Sequence, residues 1–262
     1  MAETSIRAFV DHEVDPAIRG FLHTPDTPSG NGLVLTHGAG SNAQAPLLIA
    51  LAETFAAAGF TVLRCDLPYR QTRSYGPPGP GDAARDRAGL KNAVTSLKKV
   101  LESLTVQESP LLATPSRRGA SHIFLGGHSY GGRQASMLSA EEPDLVAGLL
   151  LLSYPLHPPR KPEQQRTQHL PDLRTPALFV SGTRDPFGSI AELEQAMKMI
   201  PAKTKLVAID GAGHDLGFKG KSKLESLTGQ ILSEFSQFFS TITIMPVGST
   251  KLRRAARTLP SA

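Results

Sequence analysis

The 262-residue chain contains a single cysteine, Cys65, and no tryptophan. One cysteine can form neither an internal disulfide nor a cysteine-rich zinc site, which is typical of a reducing compartment. The longest apolar run, around Leu149–Leu152, is far shorter than the ~20 residues that span a bilayer. The segment Met1–Ser5 has neither a basic region nor an apolar stretch, which argues against a signal peptide. We therefore expect a cytoplasmic protein without a membrane span.

The excess of positive charge is concentrated at one end of the chain. There are 28 Lys and Arg residues against 23 Asp and Glu, giving a formal net charge of +5. Residues 246–262 hold four of these positive charges and no acidic residue, which leaves +1 for the remainder. A nearly neutral body does not favour a nucleic-acid-binding surface. We expect one domain over residues 1–245 and a basic, disordered tail over residues 246–262.

Segments with strand-like and helical periodicity alternate along the chain. The predicted strands are Gly32–Thr36, Phe60–Leu63, Ile123–Leu125, Val146–Ser153, Ala177–Val180 and Lys205–Ile209. Apolar residues at helical spacing predict helices that begin near Pro46, Leu90, Arg133, Ser189 and Leu224. This alternation predicts an α/β fold with a mostly parallel sheet covered by helices on both faces. Two polar stretches rich in proline or glycine, Tyr69–Arg87 and Pro155–Pro176, are predicted as irregular loops.

The segment Gly126–Arg133 lies between a predicted strand and a predicted helix. It contains Gly127-x-Ser129-x-Gly131, the pattern of a nucleophile elbow. In such a turn the serine backbone is strained, and the residues two before and two after it must be small to avoid a clash. The helix that follows directs its N-terminal amides toward the hydroxyl. Ser129 is therefore predicted as a nucleophile; the alternative is a turn that only packs the helix against the sheet.

A serine nucleophile needs a base, and the base needs a carboxylate that orients it. In this architecture they follow in the order acid, then histidine, each after a later strand. Asp185 is the first carboxylate after the fifth predicted strand, and His214 follows the sixth. They are predicted as the acid and the base; the alternatives are an Asp-Pro turn and a surface histidine. Asp210 and Asp215 are less favoured as the acid because they flank His214 in the same loop.

An acyl-transfer site also needs hydrogen-bond donors for the developing oxyanion. The backbone N–H of Tyr130, directly after the nucleophile, is one candidate. The other is expected in the small-residue loop after the first predicted strand, where the Ala39 N–H is favoured and Gly38 or Gly40 are alternatives. The side chain of His37, at the start of that loop, is expected to hydrogen-bond the loop itself.

Taken together, these motifs resemble the α/β-hydrolase superfamily. The resemblance rests on His37–Gly40, Gly126–Arg133, Ser153–Pro159, Gly182–Gly188 and His214, and it covers about residues 30–240. Within the superfamily the chain is similar to the dienelactone-hydrolase-like or testis-expressed-30-like branch. The resemblance implies a core of about eight strands, with Ser129 as nucleophile, Asp185 as acid and His214 as base. It also implies an alternative, because a relative of this branch is a subunit of a chromatin-modifying complex: a non-catalytic interaction module.

The chain departs from true dienelactone hydrolases at the nucleophile. Those enzymes use a cysteine where this chain has Ser129, so a lactone substrate does not follow from the resemblance. Cys65 ends a different predicted strand and is expected to be a small buried apolar residue.

The function predicted from these motifs is hydrolysis of a small soluble ester, without a cofactor or a metal. The connection between the fourth and fifth predicted strands, residues 154–176, is too short for a substantial helical cap, so we expect a minimal cap and an open cleft. Five arginines on loops or turns are either solvated or face that cleft: Arg70, Arg73, Arg133, Arg160 and Arg166. Arg133 is the candidate substrate-binding residue, and the ligand it would favour is anionic.

A dinucleotide-binding loop is the main competing interpretation of the glycine-rich segment. Gly38–Ala43 follows a predicted strand and fits G-x-G-x-x-A, and Asp66 ends the next one. In a dinucleotide site the helix starts within the glycine loop, whereas Pro46 predicts a start about three residues later. This interpretation also leaves the elbow, Asp185 and His214 without a role.

Overall fold

The structure, a computed structural model, describes residues 4–107, 121–217 and 221–242. Eight strands form one sheet: β1 (Thr4–Asp11), β2 (Ile18–Pro25), β3 (Gly32–Thr36), β4 (Thr61–Cys65), β5 (Ile123–His128), β6 (Gly148–Leu152), β7 (Ala177–Gly182) and β8 (Thr204–Ile209). Their order across the sheet is β1-β2-β4-β3-β5-β6-β7-β8. The strand β2 is antiparallel to both neighbours, and every pair from β4 to β8 is parallel. The predicted mostly parallel sheet is confirmed.

Helices cover both faces of this sheet. They are α1 (Pro46–Ala57), α2 (Pro68–Thr72), α3 (Asp82–Gln107), α4 (Tyr130–Glu141), α5 (Ile190–Met197) and α6 (Lys221–Ser240), with a 3₁₀ turn at Leu170–Asp172. On one face, Phe55 of α1 and Phe235 of α6 pack edge to face, with ring centroids 5.0 Å apart. On the other face, Leu97 of α3 and Leu138 of α4 belong to a second buried cluster. Burial of each such side chain stabilises the fold by roughly 1.5–3 kcal/mol.

Two features of the fold were not predicted from the sequence. The β1–β2 hairpin has weak strand patterning because β1 is an edge strand in which Phe9 alone is buried. The stretch Tyr69–Arg87, predicted as a loop, contains most of α2 and the first turns of α3. Asp82 begins α3, and its carboxylate accepts the Gly79 N–H of the preceding loop at 2.6 Å, a polar contact that apolar periodicity does not show.

The parallel strands bring the candidate residues to one edge of the sheet, since their carboxyl ends lie together. The strands β3, β5, β7 and β8 end at Thr36, His128, Gly182 and Ile209, and each leads directly into a segment singled out above. None of the helices in the described ranges has the length and apolarity needed to cross a bilayer. The expected boundary at residue 245 and the tail 246–262 lie outside the described residues.

Candidate active site

Ser129 occupies a sharp turn between β5 and α4. Its backbone has φ 51° and ψ −117°, a conformation that costs a non-glycine residue on the order of 1–3 kcal/mol. The flanking glycines have no room for a side chain. A Cβ on Gly131 would lie 2.5 Å from the His37 carbonyl oxygen, and one on Gly127 would lie 2.6 Å from the Gly131 carbonyl carbon. The sequence therefore satisfies the steric demands of a nucleophile elbow.

The structure brings Ser129, His214 and Asp185 into one hydrogen-bonded chain. The Ser129 Oγ lies 2.7 Å from His214 Nε2. The other ring nitrogen, Nδ1, lies 3.0 Å and 2.9 Å from the two carboxylate oxygens of Asp185. A neutral imidazole satisfies both contacts in one tautomer, with Nδ1–H donating to the carboxylate and Nε2 accepting the serine proton. This tautomer is the one that a general base beside a serine requires.

The loop that carries His214 is held from three directions. His128 Nε2–H donates to the backbone carbonyl of His214 at 2.8 Å. The ring of Phe187 lies over the imidazole, with centroids 4.1 Å apart and planes 30° apart. The Arg184 N–H donates to Ala212 at 2.9 Å, which joins the loops after β7 and β8. Sequence reasoning missed His128 and Phe187 because both act through packing or backbone contacts that no motif records.

The carboxylate that contacts His214 is that of Asp185, which is 6% exposed. It also accepts the Phe187 N–H at 2.9 Å, so the Asp-Pro turn and the contact with His214 coexist. Asp210 instead accepts from the Thr183 hydroxyl at 3.4 Å, and Asp215 accepts the Gly217 N–H at 3.0 Å. Neither of these two carboxylates bonds the imidazole.

Two backbone amides at the predicted oxyanion positions border the same cleft. The residues are Tyr130, at the first position of α4, and Ala39, in the loop after β3. Neither N–H has an acceptor among the described residues. His37 is fully buried, and its Nδ1–H donates to the Gly38 carbonyl of its own loop at 2.9 Å. Its Nε2 accepts the N–H of Leu67, in the segment after β4, at 3.1 Å. Burial lowers the pKa of this imidazole, so it stays neutral despite the nearby Asp66.

The cleft over Ser129 has a volume of about 570 Å³ and two arginines in its lining, Arg133 and Arg166. No acidic side chain is among its lining residues. The buried Arg133 Nε has no hydrogen-bond partner among the described residues. Burial, and to a smaller extent the charge of Arg133, lowers the pKa of Arg166. Two guanidinium groups thus border the cleft, and no carboxylate among its lining residues neutralises them.

The other three candidate arginines have partners or positions outside this cleft. Arg70 is only 7% exposed and donates to four backbone carbonyls, at Ala39, Ser41, Arg73 and Gly76. Arg73 pairs with Asp82. Arg160 is exposed and lies outside the cleft lining. The expectation that Arg70 is solvated or faces the cleft is therefore wrong, because its guanidinium is used to hold backbone carbonyls.

Cys65 and the glycine-rich loop have structural roles. Cys65 is buried, and burial raises the pKa of its thiol to about 12, which keeps it protonated and unreactive. The helix α1 begins at Pro46, beyond the glycine-rich loop, as expected. Asp66, which a dinucleotide site would use for the ribose, accepts the Ala43 N–H at 2.7 Å. The dinucleotide-binding interpretation therefore has no support.

Comparison with known protein families assigns this chain to one of them. A family model described as an alpha/beta hydrolase domain matches residues 29–240, and the chain belongs to that family. Among curated proteins, polyketide synthase ThaQ from Burkholderia thailandensis is 50% identical over 48 residues, a match that covers 18% of this chain and 2% of that protein.

Solved structures share the fold at low sequence identity. Dienelactone hydrolase from Anabaena variabilis aligns with a TM-score of 0.63 and 22% identity over 90% of this chain and 98% of that one. An alpha-beta serine hydrolase homologue from Coxiella burnetii has a TM-score of 0.62 and 14% identity, covering 87% and 96%. An a/b serine hydrolase without lid from Xanthomonas campestris has a TM-score of 0.58 and 12% identity, covering 90% and 94%. The α/β-hydrolase fold and the dienelactone-hydrolase-like resemblance are confirmed.

Proposed function

We propose that this protein is a serine esterase that hydrolyses a small ester through a covalent acyl-enzyme. The observation that carries the proposal is the chain of contacts from Ser129 Oγ through the His214 ring to the Asp185 carboxylate, with lengths of 2.7 Å and 2.9–3.0 Å. It lies in an open cleft bordered by two unpaired backbone amides. A module that only binds partners has no physical need for this arrangement.

In the proposed reaction, Ser129 Oγ attacks the carbonyl carbon while its proton moves to His214 Nε2. The N–H groups of Tyr130 and Ala39 donate to the oxyanion, and Asp185 stabilises the imidazolium. Collapse of the tetrahedral intermediate breaks the ester bond, and Nε2–H returns the proton to the leaving alkoxide. Water then attacks the acyl-enzyme, again losing its proton to Nε2, and the second collapse releases the acid and restores the serine hydroxyl. No metal or organic cofactor takes part in these proposed steps.

Two guanidinium groups in a cleft lining that contains no carboxylate support an anionic group on the substrate. The backbone N–H of Arg133 donates to the backbone carbonyl of Ser129 in the first turn of α4. The Cα of Arg133 is therefore about 6 Å along the helix axis from that of Ser129. A carboxylate near the reacting carbonyl would reach the guanidinium while the ester meets Ser129. Such a group would receive charge-assisted hydrogen bonds from Arg133 and Arg166. No lining residue of the cleft offers these two arginines a carboxylate.

Labelling by a fluorophosphonate probe tests the serine nucleophile. Wild type is expected to be labelled and Ser129→Ala not at all, because the probe requires an activated hydroxyl. Ser41→Ala is the matched control, since Ser41 also lines the cleft but its hydroxyl has no hydrogen bond to a histidine among the described residues. Wild-type labelling no stronger than that of Ser129→Ala would contradict the esterase and favour the non-catalytic interaction module.

Matched esters test the anionic substrate. The monoester of 4-nitrophenol with adipic acid carries a carboxylate that 4-nitrophenyl hexanoate lacks, and its kcat/KM is expected to be at least about tenfold higher at low salt. Arg133→Gln should remove about 10–100-fold of kcat/KM for the anionic ester and leave the neutral one within about threefold. The exposed Arg174, in the same β6–β7 connection as Arg166, provides the control Arg174→Gln. Equal rates for both esters would rule out this specificity and leave the esterase intact.

A further inference from the structure

The direction of the Ala39 N–H is set by the carbonyl that precedes it. The Gly38 carbonyl and the Ala39 N–H belong to one planar trans peptide group, so they point in opposite directions. The Gly38 oxygen accepts from His37 Nδ1 at 2.9 Å and lies 3.4 Å from the Tyr69 hydroxyl. These hydrogen bonds hold the Gly38 carbonyl on the side of the loop away from the cleft, so the Ala39 N–H points toward the cleft.

The next peptide group is held from the same side. The Ala39 carbonyl accepts from the Tyr69 hydroxyl at 2.8 Å and from Arg70 Nη2 at 3.0 Å. Arg70 Nε also donates to the Ser41 carbonyl at 2.7 Å. Tyr69 and Arg70 are 2% and 7% exposed, so solvent does not compete for these contacts. Tyr69 and Arg70 of α2 thus hold three carbonyls of the loop 37–41, here called the oxyanion loop: those of Gly38, Ala39 and Ser41.

One buried carboxylate connects this support to the other oxyanion donor. Asp86 in α3 is fully buried and accepts the Tyr69 N–H at 3.1 Å through Oδ1. Through Oδ2 it accepts the Tyr130 hydroxyl at 2.7 Å. The two tyrosine rings pack edge to face, with centroids 5.9 Å apart and planes 89° apart. Asp86 therefore links Tyr69, which holds the loop at Ala39, to Tyr130, which supplies the second backbone amide.

The supporting segment is itself tightly packed. A Cβ on Gly89 in α3 would lie 2.5 Å from Pro68 Cγ, so α2 and α3 approach as closely as a glycine permits. A buried carboxylate is costly unless hydrogen bonds satisfy it, and both Asp86 oxygens are used on the two tyrosines. A close contact between helices would be met equally well by an apolar side chain. The position of Asp86 therefore indicates that it fixes the relative positions of Tyr69 and Tyr130, in addition to filling space between the helices.

We propose that Tyr69 and Asp86 are positioning residues that fix the spacing of the Ala39 and Tyr130 N–H groups for the oxyanion. This inference rests on the proposed esterase function and assigns neither residue a contact with substrate. Loss of a complete oxyanion donor typically costs about 10²–10³-fold in kcat. A donor that is present but displaced should cost less, and the loss should appear in kcat rather than in KM because the oxyanion forms only after binding.

The test is Tyr69→Phe, which deletes the hydroxyl and keeps the ring. On a neutral 4-nitrophenyl ester, kcat is expected to fall about 5–30-fold with KM within about twofold of wild type. A trifluoromethyl ketone that adds to Ser129 forms the same oxyanion, so its Ki should rise by the factor that kcat/KM loses. Thr175→Val is the matched control: it removes a buried hydroxyl that donates to the Pro143 carbonyl at 3.2 Å, away from the cleft. It should lower Tm without changing Ki.

The outcomes separate this inference from the proposed function. An active wild type with Tyr69→Phe within twofold in kcat and Ki overturns the positioning role alone, whereas an inactive wild type overturns both. An equal rise in Ki for Thr175→Val would show general destabilisation and also contradict the proposal. Should Tyr69→Phe not fold, Tyr130→Phe decides, since it cuts only the bond to Asp86 and should show the same parallel between Ki and kcat/KM.

Discussion

The two sides of the proposed catalytic cleft position their functional groups in different ways. The acid–base side consists of the loops after β7 and β8, residues 183–189 and 210–217, and it presents the side chains of Asp185 and His214. The oxyanion side consists of residues 37–41 and α2, and it presents a backbone amide. Its side chains, such as Tyr69, bind carbonyls behind the loop.

This contrast predicts different consequences of mutation. Removing a side chain on the acid–base side removes a group that is proposed to transfer or stabilise a proton, so the expected loss of activity is large. Removing one on the oxyanion side leaves the N–H in place and shifts it, so the loss is smaller and graded. The predictions below test the contrast in order of expected effect.

Asp185→Asn should cause the largest loss, about 10²–10⁴-fold in kcat/KM. Both carboxylate oxygens lie within 3.0 Å of His214 Nδ1, and an amide there offers a donor to a nitrogen that must itself donate. The wrong tautomer then leaves Nε2 unable to accept the serine proton. Ester hydrolysis is the measurement, and Asp215→Asn is the control because Asp215 bonds the Gly217 N–H. Similar losses for both variants would show that the histidine is not oriented by Asp185.

Gly38→Ala should cause an intermediate loss on the oxyanion side, about 10–100-fold in kcat/KM. A Cβ there would lie 2.9 Å from His128 Nδ1 and 3.3 Å from Ser129 Cβ, so the loop must move away from the nucleophile. Gly40→Ala is the matched variant in the same loop: no atom lies within 4 Å of its Cβ, and it keeps its N–H. It should stay within about twofold of wild type. Equal losses would contradict the steric account.

The contrast also explains which parts of the site the sequence predicts. Ser129, Asp185 and His214 each follow their own parallel strand, and the topology of such sheets brings strand ends together. Tyr69 and Asp86 have no comparable signal. They lie in a polar, glycine- and proline-rich stretch, and their importance comes from contacts with residues 30 to 44 positions away in the chain.

The same reason accounts for the buried arginine. Arg70 is a residue type that is mostly exposed, and its burial depends on carbonyls supplied by the distant loop at Ala39 and Ser41. Apolar composition located β3 with its observed bounds, because all five of its residues are buried. It could not locate β1, since most of that edge strand faces solvent.

Acidification should weaken the region beside the oxyanion loop. His23 is fully buried and accepts from Arg64 Nε at 2.7 Å, while Arg64 also donates to the Ala43 carbonyl. Burial, followed by the charge of Arg64, lowers the pKa of His23 from 6.5 to about 4. Between these values the unfolded chain binds a proton that the folded chain does not, so stability is lost as pH falls from 6.5 toward 4.

At pH 5 this histidine alone should reduce the free energy of unfolding by about 1–2 kcal/mol relative to pH 7.5. Urea denaturation at the two pH values measures the loss. His23→Gln keeps an acceptor for Arg64 and should reduce the pH dependence by that amount, whereas His12→Gln, at an exposed position, should not. An unchanged pH dependence in His23→Gln would mean that the imidazole is not held neutral by burial.

The smallest expected effect is on Cys65, which ends β4 directly before the segment that supports the oxyanion side. Its buried thiol has a pKa of about 12, so at pH 8 only about one molecule in 10⁴ carries a thiolate. Iodoacetamide should therefore leave the folded enzyme unmodified and fully active, whereas a fluorophosphonate should inactivate it by reacting with Ser129. Mass spectrometry after treatment in urea should show the thiol becoming reactive only on unfolding. Alkylation and inactivation of the native protein would instead show that the oxyanion side opens to solvent, and the rigid support inferred for Tyr69 and Asp86 would not hold.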